Sequence, residues 1–349
     1  PVGFIFTQDG VIIDPYFNRY PVSFCYSDRS NNLWLGTWGL GIWLVDTRAM
    51  TMEPKPIGLA DANVRAIFIN PSGIWFGGKP EGKESGGITF WDRKSDKWRI
   101  FDARLIRDMG TNNVYDIVSN SRYTFFATDL GLLSFDNVTQ RWHRYTFRDG
   151  LQDEFLTSLL LKGDTLFIGQ RCGLSLLEIS SMKIKPITPP DYPKVNKMAV
   201  FKGRVYVATS EGAFWFNGKG LTQIHTPDGY LGFRVYGVDD DSNGVWFVSD
   251  KGFLFLEPET GKIITFPREE FVYEDPFDMM VMERYIWLTT SAGVIKIRKE
   301  DMHYFRYTSR DGLVSNIVYT IERDGDYVWF GTDSGATRYL WNKPERIDW

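Results

Sequence analysis

The three histidines, His143, His225 and His303, are the side chains best suited to acid–base or metal chemistry near neutral pH. The strand pattern described below predicts that each lies in the outermost strand of its own repeated unit. Side chains so placed cannot share one metal ion, and they cannot activate a common serine or cysteine nucleophile. The sequence therefore predicts no catalytic residue and no histidine metal site.

A run of acidic and amide side chains offers a second kind of chemistry. Asp239, Asp241 and Asn243 alternate along the chain and are followed by Gly244, as at the start of a calcium-binding loop. A polar turn between two strands needs the same residue types. The turn is the preferred interpretation, and a calcium site at these three residues is the weaker alternative.

The two cysteines, Cys25 and Cys172, lie in different repeats and outside any Cys-x-x-Cys pair. They cannot form a disulfide framework or a zinc knuckle. Cys25 is predicted to be packed within a strand, and Cys172 to lie in a turn. No thiol chemistry is expected, and no cofactor is predicted.

The composition indicates the elements that must position any site. Of 349 residues, 43% are hydrophobic, 16% are aromatic and 33 are glycine, a balance that favours strands joined by tight turns. The formal net charge is −4 and no Lys/Arg run occurs, so nucleic acid is not an expected partner. No apolar run is long enough to span a bilayer, so no transmembrane segment is predicted in this chain.

An internal repeat organises the whole chain. An aromatic residue followed two positions later by a small residue recurs eight times, and the spacings are 41, 50, 42, 39, 40, 41 and 42 residues. The central aromatic residues are Trp34, Trp75, Phe125, Phe167, Tyr206, Trp246, Trp287 and Trp329. Each unit reads as four short strands joined by turns, which is the period of a β-propeller blade. The aromatic residue packs between neighbouring blades, and the small residue leaves room for the next sheet.

The predicted fold class is therefore all-β, a single β-propeller of four-stranded antiparallel blades, with eight blades favoured and seven as the alternative. One domain spans residues 1–349, and residues 1–20 form an N-terminal segment in which Gly10 to Ile13 could pair with the last blade and close the ring. The blades are predicted at 21–58, 62–102, 112–150, 153–188, 193–226, 232–267, 276–308 and 315–349.

A ligand site is expected on the face where the turns between the second and third strands meet the loops that join the blades. An insertion from Lys79 to Ser85 lengthens one of those turns. Loops carry function while the scaffold carries stability. The candidate ligand-binding residues on this face are Trp38, Lys79, Lys83, Arg171, Tyr192, Tyr230, Arg234 and Asp333.

The units resemble two-component regulator propeller repeats, whose pattern runs from Asp-Gly-Leu through Ser-Asn-x-Val to Trp-x-Gly-Thr-x-x-Gly-Leu. Residues 311–335 match nearly throughout, and Asp149-Gly150-Leu151 and the stretch from Trp34 to Leu40 match in part. Such propellers commonly form the periplasmic sensor part of bacterial two-component systems, and some respond to oligosaccharides. The resemblance implies a periplasmic or extracellular protein that binds a ligand or another protein.

The favoured function is thus a non-enzymatic binding propeller, a sensory ectodomain that recognises a glycan, a peptide or another protein. Two alternatives remain open: a propeller enzyme, such as a lyase or a glycan-degrading enzyme, and a structural scaffold of a larger extracellular assembly. An enzyme would require clustered, desolvated titratable groups near the propeller axis. A scaffold would present a large apolar patch instead.

Overall fold

Short antiparallel strands make up most of the chain in the computed structural model. The structure describes residues 5–13, 17, 19–28, 32–37, 41–46, 48–49, 51–55, 58–80, 86–189, 191–226, 229, 231–267 and 274–342. Eight sheets follow one another along the sequence, and each strand pairs with the next. Within the described residues, no helix is long and apolar enough to span a membrane.

The first four sheets contain strands β1 to β18. Sheet 1 comprises β1 (Ile5–Phe6), β2 (Val11–Ile13), β3 (Arg19–Ser27), β4 (Asn32–Thr37), β5 (Gly41–Asp46) and β6 (Thr51–Lys55). Sheet 2 comprises β7 (Val64–Asn70), β8 (Gly73–Gly78), β9 (Ile88–Asp92) and β10 (Lys97–Phe101). Sheet 3 comprises β11 (Val114–Ser119), β12 (Tyr123–Thr128), β13 (Gly131–Asp136) and β14 (Arg141–Tyr145). Sheet 4 comprises β15 (Leu156–Lys162), β16 (Thr165–Gln170), β17 (Gly173–Glu178) and β18 (Lys183–Pro186).

The other four sheets contain strands β19 to β33. Sheet 5 comprises β19 (Val195–Phe201), β20 (Arg204–Thr209), β21 (Gly212–Phe216) and β22 (Leu221–Gln223). Sheet 6 comprises β23 (Val235–Asp240), β24 (Val245–Ser249), β25 (Gly252–Glu257) and β26 (Lys262–Pro267). Sheet 7 comprises β27 (Asp278–Val281), β28 (Tyr285–Thr290), β29 (Gly293–Arg298) and β30 (Tyr304–Tyr307). Sheet 8 comprises β31 (Val318–Asp324), β32 (Tyr327–Thr332) and β33 (Gly335–Leu340), and the end of the blade predicted at 315–349 lies outside the described residues.

Seven of these sheets form a closed cycle. The inner strands β7, β11, β15, β19, β23, β27 and β31 contact one another in that order, and β31 contacts β7. The closing contact is direct: the Phe76 and Trp329 rings lie 5.8 Å apart, and Arg93 Nη1 lies 2.7 Å from Asp324 Oδ2. The all-β propeller of antiparallel units is thus confirmed, with all eight units present as sheets. The cycle of contacts runs through sheets 2 to 8, which is the arrangement of the seven-bladed alternative.

Sheet 1 lies outside this cycle of contacts. Its strands β3 to β6 form a four-stranded unit like the others, and its buried residues Ile12, Tyr20, Leu35 and Trp43 pack against one another. Strand β2, predicted as a possible ring-closing strand, pairs instead with β1 and β3. Cys25 is exposed, contrary to the packed position predicted for it, because β3 makes extensive contacts with β2 and β4 alone among the described strands.

The core of the cycle lies between the sheets. Each buried apolar cluster is shared by two sheets, as where Trp75 of sheet 2 packs with Phe126 and Leu133 of sheet 3. The small residue after the central aromatic makes this packing possible. A Cβ at Gly77 would lie 2.6 Å from Val114 Cβ, and one at Gly331 would lie 2.7 Å from the Val64 carbonyl oxygen. Close packing therefore depends on the small residues that the repeat contains.

The Asp-Gly-Leu motif also has a structural role. It ends a short 3₁₀ turn at Phe147–Asp149 and again at Ser309–Asp311. In each turn a threonine side chain and an aspartate side chain cap each other's backbone, and the glycine takes a left-handed conformation, with φ of 105° at Gly150 and 103° at Gly312. The motif thus fixes the loops that lead into β15 and β31.

Candidate ligand site at the axial mouth

A β-bulge lies at the start of nearly every inner strand and directs one side chain toward the axis. The ladder of sheet 3, for example, shifts between Val114 and Asp116, which leaves Tyr115 as the extra residue. Phe277, just before β27, occupies the same place in sheet 7. We call the seven residues at this position the mouth ring: Arg65, Tyr115, Thr157, Asn196, Tyr236, Phe277 and Tyr319.

On one side of the axis, the mouth ring is aromatic. The Phe277 and Tyr319 rings lie 5.4 Å apart, and the Arg65 guanidinium carbon lies 4.2 Å above the Tyr319 ring. Phe277 is 47% exposed, whereas Arg65 and Tyr319 are half-buried. These contacts join sheets 7, 8 and 2, and they give the mouth an apolar surface with a cation at its edge.

On the other side, the mouth ring is mostly polar. Thr157 Oγ1 donates to the Val195 carbonyl oxygen at 2.6 Å, and Asn196 Nδ2 donates to the Val235 carbonyl oxygen at 2.7 Å. The Tyr115 ring lies 5.0 Å from the Phe155 ring. Each of these contacts crosses from one sheet to the next, so the mouth ring is built jointly by neighbouring sheets.

Three tyrosines of the mouth ring differ in how their hydroxyl groups are used. The Tyr236 hydroxyl donates to Asp250 Oδ1 at 2.6 Å, and burial together with this bond raises the pKa of Tyr236 above its ordinary value. Within the described residues, the Tyr115 and Tyr319 hydroxyls have no hydrogen-bond partner. Two hydroxyls of the mouth ring are therefore uncommitted.

Five charged side chains lie deeper along the axis, and we call them the channel cluster: Asp116, Lys197, Asp239, Asp278 and Glu322. Asp116, Lys197 and Asp278 directly follow mouth-ring residues, and the other two lie two positions further along their strands. Lys197 Nζ lies 2.9 Å from Asp278 Oδ1. The pair spans sheet 6, where the equivalent residue is Gly237 and no side chain intervenes.

Three carboxylates of the channel cluster also tie neighbouring sheets together. Asp116 Oδ2 accepts from the Leu159 backbone amide at 2.8 Å, and Asp239 Oδ2 accepts from the Val281 amide at 2.6 Å. Asp278 Oδ2 accepts from Thr320 Oγ1 at 3.1 Å. Glu322 accepts no hydrogen bond within the described residues. The cluster therefore contains three structural carboxylates and one that is uncommitted.

Enclosure by the inner strands perturbs the ionisation of the cluster. Burial raises the pKa of Asp116 above its ordinary value, and it raises the pKa of Asp239 to about 7. Burial, reinforced by Asp278, Asp116 and Asp239, raises the pKa of Glu322 to about 8. Burial opposes the charge of Lys197, but Asp278 and Asp116 outweigh it and raise its pKa. The channel can thus hold or release protons near neutral pH.

Neither the mouth ring nor the channel cluster was predicted from the sequence. A usable signal was present, because charged residues interrupt apolar inner strands at equivalent positions, as Asp116 does in β11 and Lys197 does in β19. The condition set for an enzyme, clustered desolvated groups near the axis, is met. The three histidines do not contribute, since each is exposed at or beside an outer strand.

Two of the predicted ligand residues lie next to the mouth ring. The Arg171 guanidinium carbon lies 5.6 Å from the Phe155 ring, and its Nε lies 3.2 Å from Asp153 Oδ2. The Arg234 guanidinium carbon lies 5.8 Å from the Tyr236 ring. Both cations therefore flank the mouth.

The other predicted residues are less central. The Lys79 and Asp333 amides donate to the carbonyls of Asn63 and Ile317, which hold their turns beside the inner strands. Tyr192 packs on Phe214, with their rings 5.5 Å apart, and is half-buried. Trp38, Lys83 and Tyr230 lie outside the described residues, as does most of the Lys79–Ser85 insertion.

The three calcium candidates do not converge. Asp239 lies in the channel, where it accepts from Val281, whereas Asp241 Oδ1 accepts from the Asn243 and Gly244 amides at 2.8 and 3.1 Å. The segment is thus a polar turn between β23 and β24, as preferred from the sequence. Within the described residues, no group of three or more His, Cys, Asp or Glu side chains is arranged to hold a metal ion.

Solved structures of similar fold include three bacterial proteins. The extracellular domain of a hybrid two-component system from B. thetaiotaomicron is 15% identical with a TM-score of 0.65, over 98% of this chain and 55% of that one. PorZ, a surface component of the type-IX secretion system of Porphyromonas gingivalis, is 15% identical with a TM-score of 0.67, over 95% of this chain and 55% of PorZ. Virginiamycin B lyase from Staphylococcus aureus is 11% identical with a TM-score of 0.64, over 81% of this chain and 97% of the lyase.

These likenesses show that the chain has a β-propeller fold, and they agree with the resemblance to two-component regulator propeller repeats at the level of the fold. The chain spans about 55% of the length of the first two structures. No protein-family profile and no curated protein sequence matches the chain.

Proposed function

We propose that this propeller is a non-enzymatic, extracytoplasmic binding module, the sensory part of a signalling protein, and that its axial mouth takes a neutral oligosaccharide. The mouth ring carries the proposal. Four of its seven residues are aromatic, and Arg65 and Asn196 stand between them. Aromatic faces with a few fixed polar groups suit a ligand that is both flat and rich in hydroxyls.

The flanking charges support a neutral ligand. Arg171 lies beside Asp153, and Arg234 Nη1 lies 3.8 Å from Asp275 Oδ2, so both cations that flank the mouth ring have a carboxylate partner. The fold-level likeness to an extracellular sensor domain supports the location and the sensory role. A surface with paired charges offers an ionic ligand little net attraction.

Direct binding tests the proposal. Wild-type protein is applied to an array of neutral oligosaccharides and of peptides, and hits are quantified by calorimetry. We expect oligosaccharide hits whose affinity falls at least about ten-fold in Tyr319→Ala, which removes one aromatic face. Tyr304→Ala, which removes an exposed tyrosine from outer strand β30, is the matched control and should bind normally. Binding of peptides alone, or equal loss in both variants, would overturn the proposal.

A propeller enzyme is the second candidate, and Glu322 is the observation that favours it. This carboxyl group has a raised pKa of about 8 and lies in the cluster with Lys197, so it could serve as a general acid. Incubation with each bound oligosaccharide, followed by mass spectrometry, tests the idea. Cleavage that is lost in Glu322→Gln would support it, and intact sugar would exclude it for that ligand.

A further inference from the structure

The face opposite the mouth contains a repeated polar contact between neighbouring sheets. We call each place where the turn after an inner strand meets the third-to-fourth strand turn of the next sheet a corner. At the corner of sheets 6 and 7, Asp241 Oδ2 accepts from Trp246 Nε1 at 3.0 Å and also from Lys299 Nζ. The carboxylate thus joins the indole of its own sheet to a cation from the next.

The corner of sheets 8 and 2 is built in the same way. Asp324 Oδ2 accepts from Trp329 Nε1 at 3.2 Å, and Arg93 Nη1 donates to both oxygens of Asp324 at 2.9 and 2.7 Å. Arg93 and Lys299 occupy equivalent positions, one residue after the third strands β9 and β29. An aspartate, a tryptophan and a cation therefore close both corners.

The corner of sheets 2 and 3 lacks two of these three parts. Asn70 stands at the aspartate position, and Asn137 stands at the position of the cation. Among the residues that the structure describes, Asn70 Oδ1 accepts from its own turn alone, from Ser72 and Gly73. Trp75 keeps the tryptophan position, but within the described residues its Nε1 has no hydrogen-bond partner. The contact that closes those two corners is therefore absent here.

An open cleft of about 610 Å³ occupies this corner. Trp75, Phe90 and Phe135 form its apolar floor, while the polar side chains around them include Asn70, Ser72, Asp92, Arg99, Ser119, Asn120, Asn137 and Gln140. Arg99 is held in place, with its guanidinium carbon 4.8 Å from the Phe90 ring and Nη1 2.7 Å from Gln140 Oε1. The cleft thus combines fixed donors and acceptors with apolar surface.

The cleft, and not the unpaired indole alone, distinguishes this corner. Trp287 Nε1 in sheet 7 also lacks a hydrogen-bond partner, but that atom is fully enclosed. Trp75 is only 2% exposed, but it lines an open cleft together with Asn70, the residue at the position that accepts the indole N–H of Trp246 and of Trp329. An unpaired donor beside a cleft of this size is what a ligand site requires.

We propose that this cleft is a second binding site, for a neutral sugar of one or two residues. Its lining has one cation, Arg99, and one carboxylate, Asp92, so it offers no net charge to an ionic ligand. Its amides and hydroxyls can each donate and accept, which matches the hydroxyl groups of a sugar. Its volume lies within the range of small-molecule sites. This site is on the face opposite the mouth ring and does not depend on the function proposed there.

Indole signals in a ¹H–¹⁵N spectrum provide a direct test, and Trp75→Phe identifies the Trp75 signal. The probes are maltose, cellobiose, lactose and N,N′-diacetylchitobiose, each raised to about 20 mM, well above the millimolar dissociation constants of weak sites. We expect at least one sugar to shift the Trp75 signal saturably, while the Trp246 and Trp329 signals of the closed corners stay in place. Absence of any shift at Trp75 with all four sugars would overturn the proposal.

A double variant, Asn70→Asp with Asn137→Lys, supplies the two missing parts of the corner. The new aspartate should accept a hydrogen bond from the Trp75 indole. The affinity for the sugar that shifts the Trp75 signal should then fall by at least about ten-fold. Ser121→Ala, at the rim of the same cleft, should change affinity far less. If the new aspartate moves the Trp75 signal but the affinity for the sugar is unchanged, the result would contradict a site at this corner. The mouth-ring variant Tyr319→Ala should leave this binding intact, which separates the two sites.

Discussion

The interfaces between the sheets and the wall of the channel are built by opposite rules. Between the sheets, the buried clusters are apolar and recur from unit to unit, with a large aromatic residue and a small residue at fixed positions. Along the channel, equivalent positions carry different side chains: Ala66, Asp116, Ser158, Lys197, Gly237, Asp278 and Thr320. The repeat therefore describes the part of the molecule that stabilises it, and the channel is where the units differ.

The difference teaches where to seek function in a repeat protein. A position that packs between sheets must fill a similar space in every unit, so equivalent positions carry similar residues. A channel position faces an axis that all seven sheets share, so one unit can supply a lysine and another its carboxylate partner. The Lys197–Asp278 pair, which joins sheets 5 and 7, has no counterpart in the repeat itself.

The largest expected effect lies at an interface between sheets. Phe247 is fully buried in the cluster shared by sheets 5 and 6, and Phe247→Ala should lower the free energy of unfolding by about 3–5 kcal/mol. Phe233→Ala removes the same atoms from a ring that is 49% exposed, and should cost less than about 1 kcal/mol. Urea denaturation compares the two. Similar losses would contradict the assignment of stability to these interfaces.

A smaller effect is expected in the channel wall. Lys197→Met leaves the carboxyl group of Asp278 buried without its cation, and should lower the free energy of unfolding by about 2–3 kcal/mol. Because Lys197 remains about one-third exposed (34%), the loss should fall short of that for a fully buried pair. A double-mutant cycle with Asp278→Asn measures the coupling.

The surface pair Lys202–Glu259 is the control for this cycle. Its Nζ–Oε1 distance of 2.6 Å is shorter than that of the channel pair, but both side chains are more than half exposed. Solvent screening should reduce its coupling to less than about 0.5 kcal/mol. A surface coupling equal to that of Lys197 and Asp278 would refute the distinction between the channel and the surface.

The smallest expected effect is a dependence of stability on pH. Glu322 has a pKa of about 8 in the folded protein against an ordinary value of 4.5, so the folded state binds more protons than the unfolded state between these values. The stabilisation is therefore complete below pH 4.5 and is lost as the pH rises toward 8. Channel solvent should limit the change to about 1–2 kcal/mol.

Glu322→Gln should flatten this dependence, because glutamine does not titrate. The variant should be more stable than the wild type at pH 8. Its free energy of unfolding should fall less than that of the wild type between pH 5 and pH 8, and the remaining fall would come from Asp239. Thermal unfolding followed across this range provides the measurement. A wild-type stability that rises over the same interval would mean that Glu322 is not held in an enclosed, acidic channel.

Much of the fold was predictable because local pattern and packing coincide. Trp75, followed two positions later by Gly77, identifies a strand that packs on the next sheet. The four strands of its unit are consecutive in the sequence and are joined by turns. The Asp311-Gly312-Leu313 motif, which carries part of the family resemblance, ends a capped turn in the structure. The candidate site was predictable only as a face of the propeller. Arg171 and Arg234 were identified on that face, but Tyr115 and Tyr319 were not, because a bulge in the ladder decides where those side chains point.

By itself, the sequence determined that this chain folds into eight antiparallel units, each built around a recurring aromatic residue. These features depend on contacts within a unit and between neighbouring units, and the regular spacing of aromatic and small residues along the sequence reflects both kinds of contact. Only the tertiary structure decided that sheets 2 to 8 close on one another, that Lys197 meets Asp278, and that one corner is left open at Trp75. Each of these depends on residues brought together across the axis or across a sheet boundary, and spacing along the chain carries no information about such meetings.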